Sequence, residues 1–261
     1  MSEQQHQSDP RILNRRTLAR DHAGLAGFLA PGMSVLDVGC GTGAITLGIA
    51  QAVGSAGTVV GMDRNQGLIE IARSTHAAVS HLTFEVGDAT ELPFENRFDI
   101  VTAARTLQWV ADVETALAAM KRASKPGGHV VVLDYNHARN QWSPDPPSEF
   151  TGFYRAFLAW RASNQWDNEI ADHLPRLFEA AGLVDVHSHV QDETTTREDA
   201  DFVERTALWT EVIDNLSTVL VDAGACTPAQ LAEARSRYEE WRLSSLSVQL
   251  LSMRTVTGRV P

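Results

Sequence analysis

Between residues 33 and 135 the chain alternates short β-branched runs with amphipathic stretches, and this alternation restricts the fold more than any other feature. Residues 44–53, 66–77 and 113–124 place apolar side chains at helical spacing. Strands that alternate with helices form parallel sheets with crossover helices. We therefore expect an α/β fold built on a doubly wound, mostly parallel sheet. Its first five strands are predicted at residues 33–38, 58–62, 82–86, 98–104 and 129–135.

Beyond residue 135 the pattern changes, because Ser-Pro-Asp-Pro-Pro at residues 143–147 interrupts the chain and an aromatic-rich helical stretch follows. A sixth strand is predicted at residues 183–190, and the β-branched tail, residues 248–260, is typical of a seventh. Helices are expected at residues 150–160, 170–181, about 197–223 and 227–243. The second half therefore combines the end of the sheet with a helical insertion.

Composition excludes several classes of function. A formal net charge of -11 would repel a phosphate backbone, so nucleic acid is not an expected partner. The two cysteines, Cys40 and Cys226, indicate neither a disulfide framework nor a metal site. No run of about 18 apolar residues is present, so no membrane span is expected. We expect a cytoplasmic protein without a bound metal; the composition does not determine an oligomeric state.

A glycine-rich loop, residues 39–43, follows the first strand and opens a helix. Its glycines allow a tight turn and a close approach of the backbone to a ligand. The spacing of Gly39, Gly41 and Ala44 also satisfies the dinucleotide-binding fingerprint, and Asp63 lies where an acidic residue would bind a ribose. The loop alone therefore leaves an NAD(P)-dependent oxidoreductase open.

The full string at residues 35–43, Val-Leu-Asp-Val-Gly-Cys-Gly-Thr-Gly, closely resembles the first motif of class I S-adenosylmethionine-dependent methyltransferases. The resemblance implies a Rossmann-like fold in which Asp37 lies near the amino-acid end of the cofactor. It also implies that the backbone of Gly39, Cys40 and Gly41 lines that end. A carboxylate suits a cationic sulfonium and would repel a pyrophosphate, so Asp37 favours S-adenosylmethionine.

Further segments resemble the same family in the same order. Residues 59–63 are similar to its second motif, which implies that Asp63 holds both ribose hydroxyls. Residues 87–89 are similar to the third, which implies that Asp88 meets the adenine amino group. The resemblance covers residues 30–135 and is strongest to small-molecule enzymes related to the quinone-biosynthesis C-methyltransferases. The other cofactor contacts expected on this basis are Arg64, Ala89, Ala104, Arg105 and, in an N-terminal lid, Arg16.

The methyl acceptor is expected to be a small molecule bound by parts of the chain outside the family pattern. Its candidate contacts are Trp109, Tyr135 and Tyr154. His137 is the candidate general base, because it follows the fifth strand closely and imidazole titrates near neutral pH. The expected division is residues 1–135 as the cofactor-binding core with an N-terminal lid helix, 136–172 as an insertion that caps the acceptor, and 173–261 as the rest of the core with a helical cap over 197–243 and a final strand.

The expected activity is methyl transfer from S-adenosylmethionine to this small-molecule acceptor. Such a transfer is an in-line displacement with a neutral leaving group, so holding the acceptor in line contributes much of the rate and a base is needed only for some acceptors. Two alternatives stay open from the sequence alone. One is the NAD(P)-dependent oxidoreductase, and the other is a non-catalytic protein that binds S-adenosylmethionine.

Overall fold

A computed structural model describes residues 9–261, which form two compact units. The core unit comprises Asp9–Tyr135, Glu169–Gln191 and Met253–Pro261, and the second unit comprises Asn136–Asn168 and Asp192–Ser252. This division differs from the expected one at two places. Residues 169–172 belong to the core, and the helical cap over 197–243 belongs with the insertion instead of with the end of the core.

The strands follow the predicted ones closely through the first half of the chain, except that the fifth begins at Ser124 instead of at residue 129. They are β1 Ser34–Val38, β2 Thr58–Asp63, β3 Leu82–Val86, β4 Phe98–Ala104, β5 Ser124–Tyr135, β6 Gln141–Ser143, β7 Val184–Val190, β8 Glu193–Thr196, β9 Val248–Leu251 and β10 Met253–Arg259. The helices are α1 Pro10–Leu13, α2 Leu18–Asp21, α3 Ala23–Ala26, α4 Ala44–Val53, α5 Gln66–Thr75, α6 Val113–Ala123, α7 Ser148–Ser163, α8 Ile170–Ala180, α9 Phe202–Thr206, α10 Leu208–Asp222 and α11 Pro228–Ser244. No helix within residues 9–261 combines the length and apolar character that a membrane span requires.

The core unit contains a seven-stranded sheet in the order β3-β2-β1-β4-β5-β10-β7. Neighbouring strands from β3 to β5 are parallel, whereas β10 runs antiparallel to both β5 and β7. The mostly parallel, doubly wound, seven-stranded sheet expected from the sequence is therefore confirmed. The strand order reverses between β1 and β4, and in such sheets ligands bind beyond the carboxyl ends of the strands at this point.

Apolar side chains on both faces of these strands explain why the sheet forms. Strands covered on two sides are near-continuous apolar runs, and every residue of β4 except Asp99 is buried. Helix α8 adds Ile170 and Leu174 to the same core, which places it with the sheet instead of with the insertion. Burying one such large side chain contributes about 1.5–3 kcal/mol. Prominent members of this core are Leu36, Val60, Phe98, Val101, Met120 and Phe178.

The N-terminal region forms three short helices, α1 to α3, where one lid helix was expected. Residues 1–8 of the expected lid lie outside the described part of the chain. Thr17 starts a new helix, because its hydroxyl accepts the N–H of Arg20 at 3.3 Å. His22, with φ of -151°, then separates α2 from α3. The prediction of a single helix was wrong here, because the chain breaks twice. One break precedes Thr17, between α1 and α2, and the other is at His22, between α2 and α3.

The second unit contains a three-stranded antiparallel sheet, β6-β9-β8, together with α7 and α9 to α11. The single helix expected over 197–223 is two helices, because the Thr206 carbonyl accepts the Tyr238 hydroxyl at 2.9 Å at the break. The tail is likewise two strands, since β9 joins this small sheet and β10 joins the main one. Long-range hydrogen bonds, which sequence patterns do not contain, explain both differences.

Aromatic rings fill the interior of the second unit. Phe150 stacks on Tyr238 with ring centroids 4.3 Å apart, and Trp209 meets Tyr154 edge to face at 4.9 Å. Trp142 contacts both Phe150 and Tyr154. Edge-to-face and offset pairs of this kind add to the free energy gained by burying the rings. The helical spacing of aromatic residues in the sequence therefore marks the buried face of α7.

Candidate cofactor site

The glycine loop, residues 39–43, connects β1 to α4 in a conformation that requires glycine. Gly39, Gly41 and Gly43 have φ of 75°, 56° and 79°, in the region that other residues rarely adopt. A Cβ atom on Gly39 would lie 2.2 Å from the Thr106 hydroxyl oxygen, and one on Gly41 would lie 2.9 Å from Leu13 Cδ1. A Cβ at Gly39 would therefore overlap Thr106, and one at Gly41 would require the Leu13 side chain to move.

Asp63, the last residue of β2, connects the loop to the next strand. Its Oδ2 accepts the N–H of Gly41 and its Oδ1 accepts the N–H of Asn65, both at 2.9 Å. Burial raises the pKa of Asp63, although these two N–H groups and the nearby charge of Arg64 act in the other direction. A carboxylate has about four acceptor sites, so two remain to receive a pair of hydroxyls such as those of a ribose.

Asp37 lies in β1, two residues before the glycine loop, and is only 2% exposed. Its Oδ2 accepts the Thr46 hydroxyl at 2.7 Å. Burial raises the pKa of Asp37 to about 7, opposed by the Thr46 hydrogen bond and reinforced by the negative charge of Asp63. Burial and these two carboxylates also raise the pKa of the Cys40 thiol well above its usual value. A buried carboxyl group beside a second one favours a cationic ligand, so the site fits a sulfonium-bearing cofactor.

The other predicted cofactor residues follow β3 and β4. Asp88 is exposed, and its Oδ1 accepts both the N–H and the hydroxyl of Thr90, at 2.8 and 2.6 Å. Ala89 packs against the core, and Ala104 is buried at the end of β4. Because β3, β2, β1 and β4 are parallel neighbours, these residues lie at the same edge of the sheet as the glycine loop. Arg64, next to Asp63, is exposed at this edge.

Arg105 and Tyr135 contact each other, although the sequence assigned one to the cofactor and the other to the acceptor. Arg105 Nε donates to the Tyr135 hydroxyl at 3.0 Å, and its Nη1 donates to the carbonyl of Asp21 at 2.7 Å. Arg16 and Trp109 are both half-buried in the same unit. Cofactor binding by Arg105 and Arg16, and acceptor binding by Tyr135 and Trp109, stay predictions.

His137 and Tyr154 meet in the second unit. The Tyr154 hydroxyl donates to the His137 carbonyl at 2.7 Å, and the His137 ring meets Phe157 edge to face at 5.9 Å. Burial lowers the pKa of His137 well below 6.5, and the positive charge of Arg161 lowers it further. The imidazole is therefore neutral near pH 7 and binds a proton weakly. Its role as a base stays a prediction.

Sequence reasoning missed the residues that support this site. Thr46, which donates to Asp37, and the buried pair His22–Thr102 were not singled out. Thr102 carried a signal, because it is a polar residue in the middle of the apolar, buried stretch that follows Asp99 in β4. Asp21, which Arg105 contacts, was also missed and carried no such signal, since an acidic residue in a polar N-terminal segment is expected at the surface.

The family comparison agrees with this geometry. Residues 29–182 match the family model described as "Methyltransferase domain". A demethylmenaquinone methyltransferase of Staphylococcus aureus strain MRSA252 is 45% identical over 104 residues, which is 40% of this chain and 43% of that protein. The protein of that name from strain JH9 is 33% identical over 167 residues, which is 59% of this chain and 69% of that protein.

Solved structures share the fold. The YcgJ protein of Bacillus subtilis superimposes with a TM-score of 0.60 at 17% identity, covering 91% of this chain and 96% of that one. A Haemonchus contortus phosphoethanolamine N-methyltransferase, solved with S-adenosylhomocysteine, gives 0.58 at 19% identity, covering 92% of this chain and 52% of that one.

The fold and the glycine loop define a Rossmann-like protein with a candidate cofactor site at the carboxyl ends of its strands. The chain belongs to the class I S-adenosylmethionine-dependent methyltransferases and resembles the quinone methyltransferases among them. Its cofactor is S-adenosylmethionine, as the family assignment implies.

Proposed function

We propose that this protein transfers the methyl group of S-adenosylmethionine to a small-molecule acceptor. The observation that carries the proposal is the pair of carboxyl groups beside the glycine loop. Asp63 presents acceptor sites for two hydroxyls, and Asp37 lies buried where a cationic group would stabilise its charge. A dinucleotide places a pyrophosphate against such a loop, which Asp37 would repel. The pair therefore disfavours the oxidoreductase alternative.

Within this proposal each group at the strand ends has a role. The bound cofactor supplies an electrophilic methyl group. Asp63 holds the ribose hydroxyls, Asp88 meets the adenine amino group, and Asp37 stabilises the positive end of the cofactor. The backbone of the glycine loop lines that end. The remaining proposed contacts to the cofactor are Arg16, Arg64, Ala89, Ala104 and Arg105.

We propose a partly apolar acceptor. Two observations support this: the relatives are named for methylation of demethylmenaquinone, and the second unit has an aromatic interior. Residues 192–252 lie beyond the family match, so the acceptor need not be the relatives' own. Trp109, Tyr135 and Tyr154 are its proposed contacts, with His137 as the proposed proton acceptor. The low cysteine content supports a place in the cytoplasm as part of this proposal.

The test is incubation of the protein with methyl-labelled S-adenosylmethionine and a metabolite extract, followed by mass spectrometry. The proposal predicts a labelled organic product together with an equal amount of S-adenosylhomocysteine. Asp63→Asn serves as the impaired variant. Glu70→Gln, an exposed charge removal on the neighbouring helix, serves as the matched control and keeps activity. Binding of S-adenosylmethionine without formation of S-adenosylhomocysteine would indicate a non-catalytic protein instead.

A further inference from the structure

Arg105 occupies a strained corner directly after β4. Its φ is 57°, in the left-handed region that residues other than glycine rarely adopt. Its N–H donates to the Leu133 carbonyl at 2.7 Å, which ties the corner to β5. A strained backbone of this kind persists only where surrounding contacts enforce it, and such positions concentrate at functional sites.

The side chain of Arg105 supplies further contacts and is only 2% exposed. Nη1 donates to the Asp21 carbonyl at 2.7 Å, and Nη2 lies 3.5 Å from Asp21 Oδ1. Asp21 Oδ2 in turn accepts the N–H of Thr17 at 2.7 Å and Nε of Arg20 at 3.2 Å. The buried guanidinium therefore binds the N-terminal region through both the backbone and the carboxylate of one residue.

His22, the residue after Asp21, contacts β4, the strand that ends just before Arg105. It is fully buried, and its Nε2 lies 2.6 Å from the Thr102 hydroxyl. Because that hydroxyl donates to the Val131 carbonyl at 2.8 Å, Nε2 is the donor to Thr102. Asp21 thus contacts Arg105, and His22 contacts Thr102, three residues earlier in the chain. We call Asp21, His22, Thr102 and Arg105 the N-terminal clasp.

The corner held by the clasp also contacts the glycine loop. Thr106 follows Arg105, and its hydroxyl donates to the Ala104 carbonyl at 3.1 Å. The same hydroxyl oxygen would lie 2.2 Å from a Cβ atom on Gly39, so it fills the space that the missing side chain leaves. Leu13 fills the corresponding space beside Gly41. The N-terminal region therefore supports the loop directly at Gly41, through Leu13. It supports the loop indirectly at Gly39, through Arg105 and Thr106.

We propose that Arg105 is a positioning residue. The clasp holds Thr106 against Gly39 and so keeps the glycine loop in the conformation that binds the cofactor. Arg105 acts through Thr106 in this account. Its guanidinium is buried and bonded to Asp21, so this role replaces the direct cofactor contact proposed above. The inference rests on the proposed function, because it takes S-adenosylmethionine as the ligand of the loop.

The experiment is calorimetric titration of the full chain with S-adenosylhomocysteine. Arg105→Gln and Asp21→Asn are each expected to raise the Kd by about tenfold, a typical coupling between linked sites. The double variant is expected to show no more than the larger single effect, because both changes break the same contact. Arg105→Lys retains the charge and is expected to recover part of the affinity. Arg259→Gln breaks an ion pair with Asp185 at the end of β10, where Arg259 pairs with His129 of β5. It is the control and leaves the Kd unchanged.

Thermal unfolding of each variant shows that the titration is made on folded protein, and Asp21→Asn decides the matter if Arg105→Gln does not fold. An unchanged Kd in folded variants would overturn the positioning role and leave the cofactor assignment intact. Fully additive effects in the double variant would also overturn it, because the two residues would then act separately. Absence of binding by the unchanged protein would overturn the cofactor assignment and this inference with it.

Discussion

The two ends of the main sheet each carry an aspartate, and the pKa values of these two aspartates are shifted in opposite directions. Asp99, near the amino-terminal end of β4, lies 2.7 Å from Lys125 Nζ and accepts the Ser34 hydroxyl at 2.6 Å. Burial alone would raise the pKa of Asp99, but these hydrogen bonds outweigh it and the pKa is lowered. At the carboxyl end of β1, Asp37 accepts a neutral hydroxyl in a buried place, and its pKa rises to about 7.

This contrast separates stability from function along the same strands. A carboxylate with a cationic partner stabilises the fold, whereas a buried one without such compensation costs free energy unless a ligand supplies the missing charge. The positive φ of Gly39 and the strained backbone of Arg105 belong to the same end as Asp37. This contrast supports the proposal that the carboxyl ends of the strands bind a ligand and the amino-terminal ends hold the sheet together.

The largest expected effect is on stability at Asp37. Its pKa in the folded protein lies above its unfolded value, so the folded form binds the extra proton between pH 4 and 7 and loses stability as pH rises through that range. Asp37→Asn removes this loss. In the absence of cofactor the variant is expected to match the unchanged protein near pH 4 and to exceed it at pH 8 by up to about 4 kcal/mol. Urea unfolding at a series of pH values measures the difference.

Asp99→Asn gives the opposite sign and serves as the matched control. The lowered pKa of Asp99 contributes stability that is present above about pH 4 and is lost as pH falls through the folded value. The variant is therefore expected to be less stable than the unchanged protein at pH 7 and equal to it in strong acid. If both variants shifted stability in the same direction at pH 7, the contrast between the two ends would be wrong.

The next effect is on cofactor affinity at Asp63. Asp63→Asn keeps the shape of the side chain and weakens acceptance of two backbone N–H groups and, in this account, two ribose hydroxyls. The Kd for S-adenosylhomocysteine is expected to rise about hundredfold, equal to about 3 kcal/mol. Asp99→Asn makes the same chemical change at the other end and is expected to leave the Kd unchanged. Equal losses in both variants would mean that general destabilisation, and not the ribose contact, sets the affinity.

A smaller effect is expected from adding one methyl group at a glycine. Gly39→Ala places a Cβ against Thr106 at a positive φ, so we expect the free energy of unfolding to fall by about 2 kcal/mol. Gly27→Ala adds the same group at φ of -69° with no atom within 4 Å of the new Cβ. Thermal unfolding of this control is expected to stay within about 0.5 kcal/mol of the unchanged protein. A tolerated alanine at position 39 would show that the loop conformation is not restricted as described.

Most of the core was predictable from the sequence, and so were the strand ends that carry the candidate site. The strands that precede the glycine loop, Asp63 and Asp88 are short runs rich in β-branched and apolar residues with local end signals, so pattern alone located them. The clasp was not predictable, because the pairing of Asp21 with Arg105 joins residues 84 positions apart. The split of the tail at Ser252 was missed for the same kind of reason, since its N–H binds the Asn140 side chain at 2.8 Å. Local patterns contain strand and helix periods but not these distant partners.

The central claim is that the carboxyl ends of the strands bind S-adenosylmethionine. Its most direct test is calorimetric titration of the unchanged protein with S-adenosylmethionine, S-adenosylhomocysteine and NADP under the same conditions. We predict one-to-one binding of the first two compounds and no heat of binding from the dinucleotide. Binding of NADP without binding of S-adenosylmethionine would contradict the account.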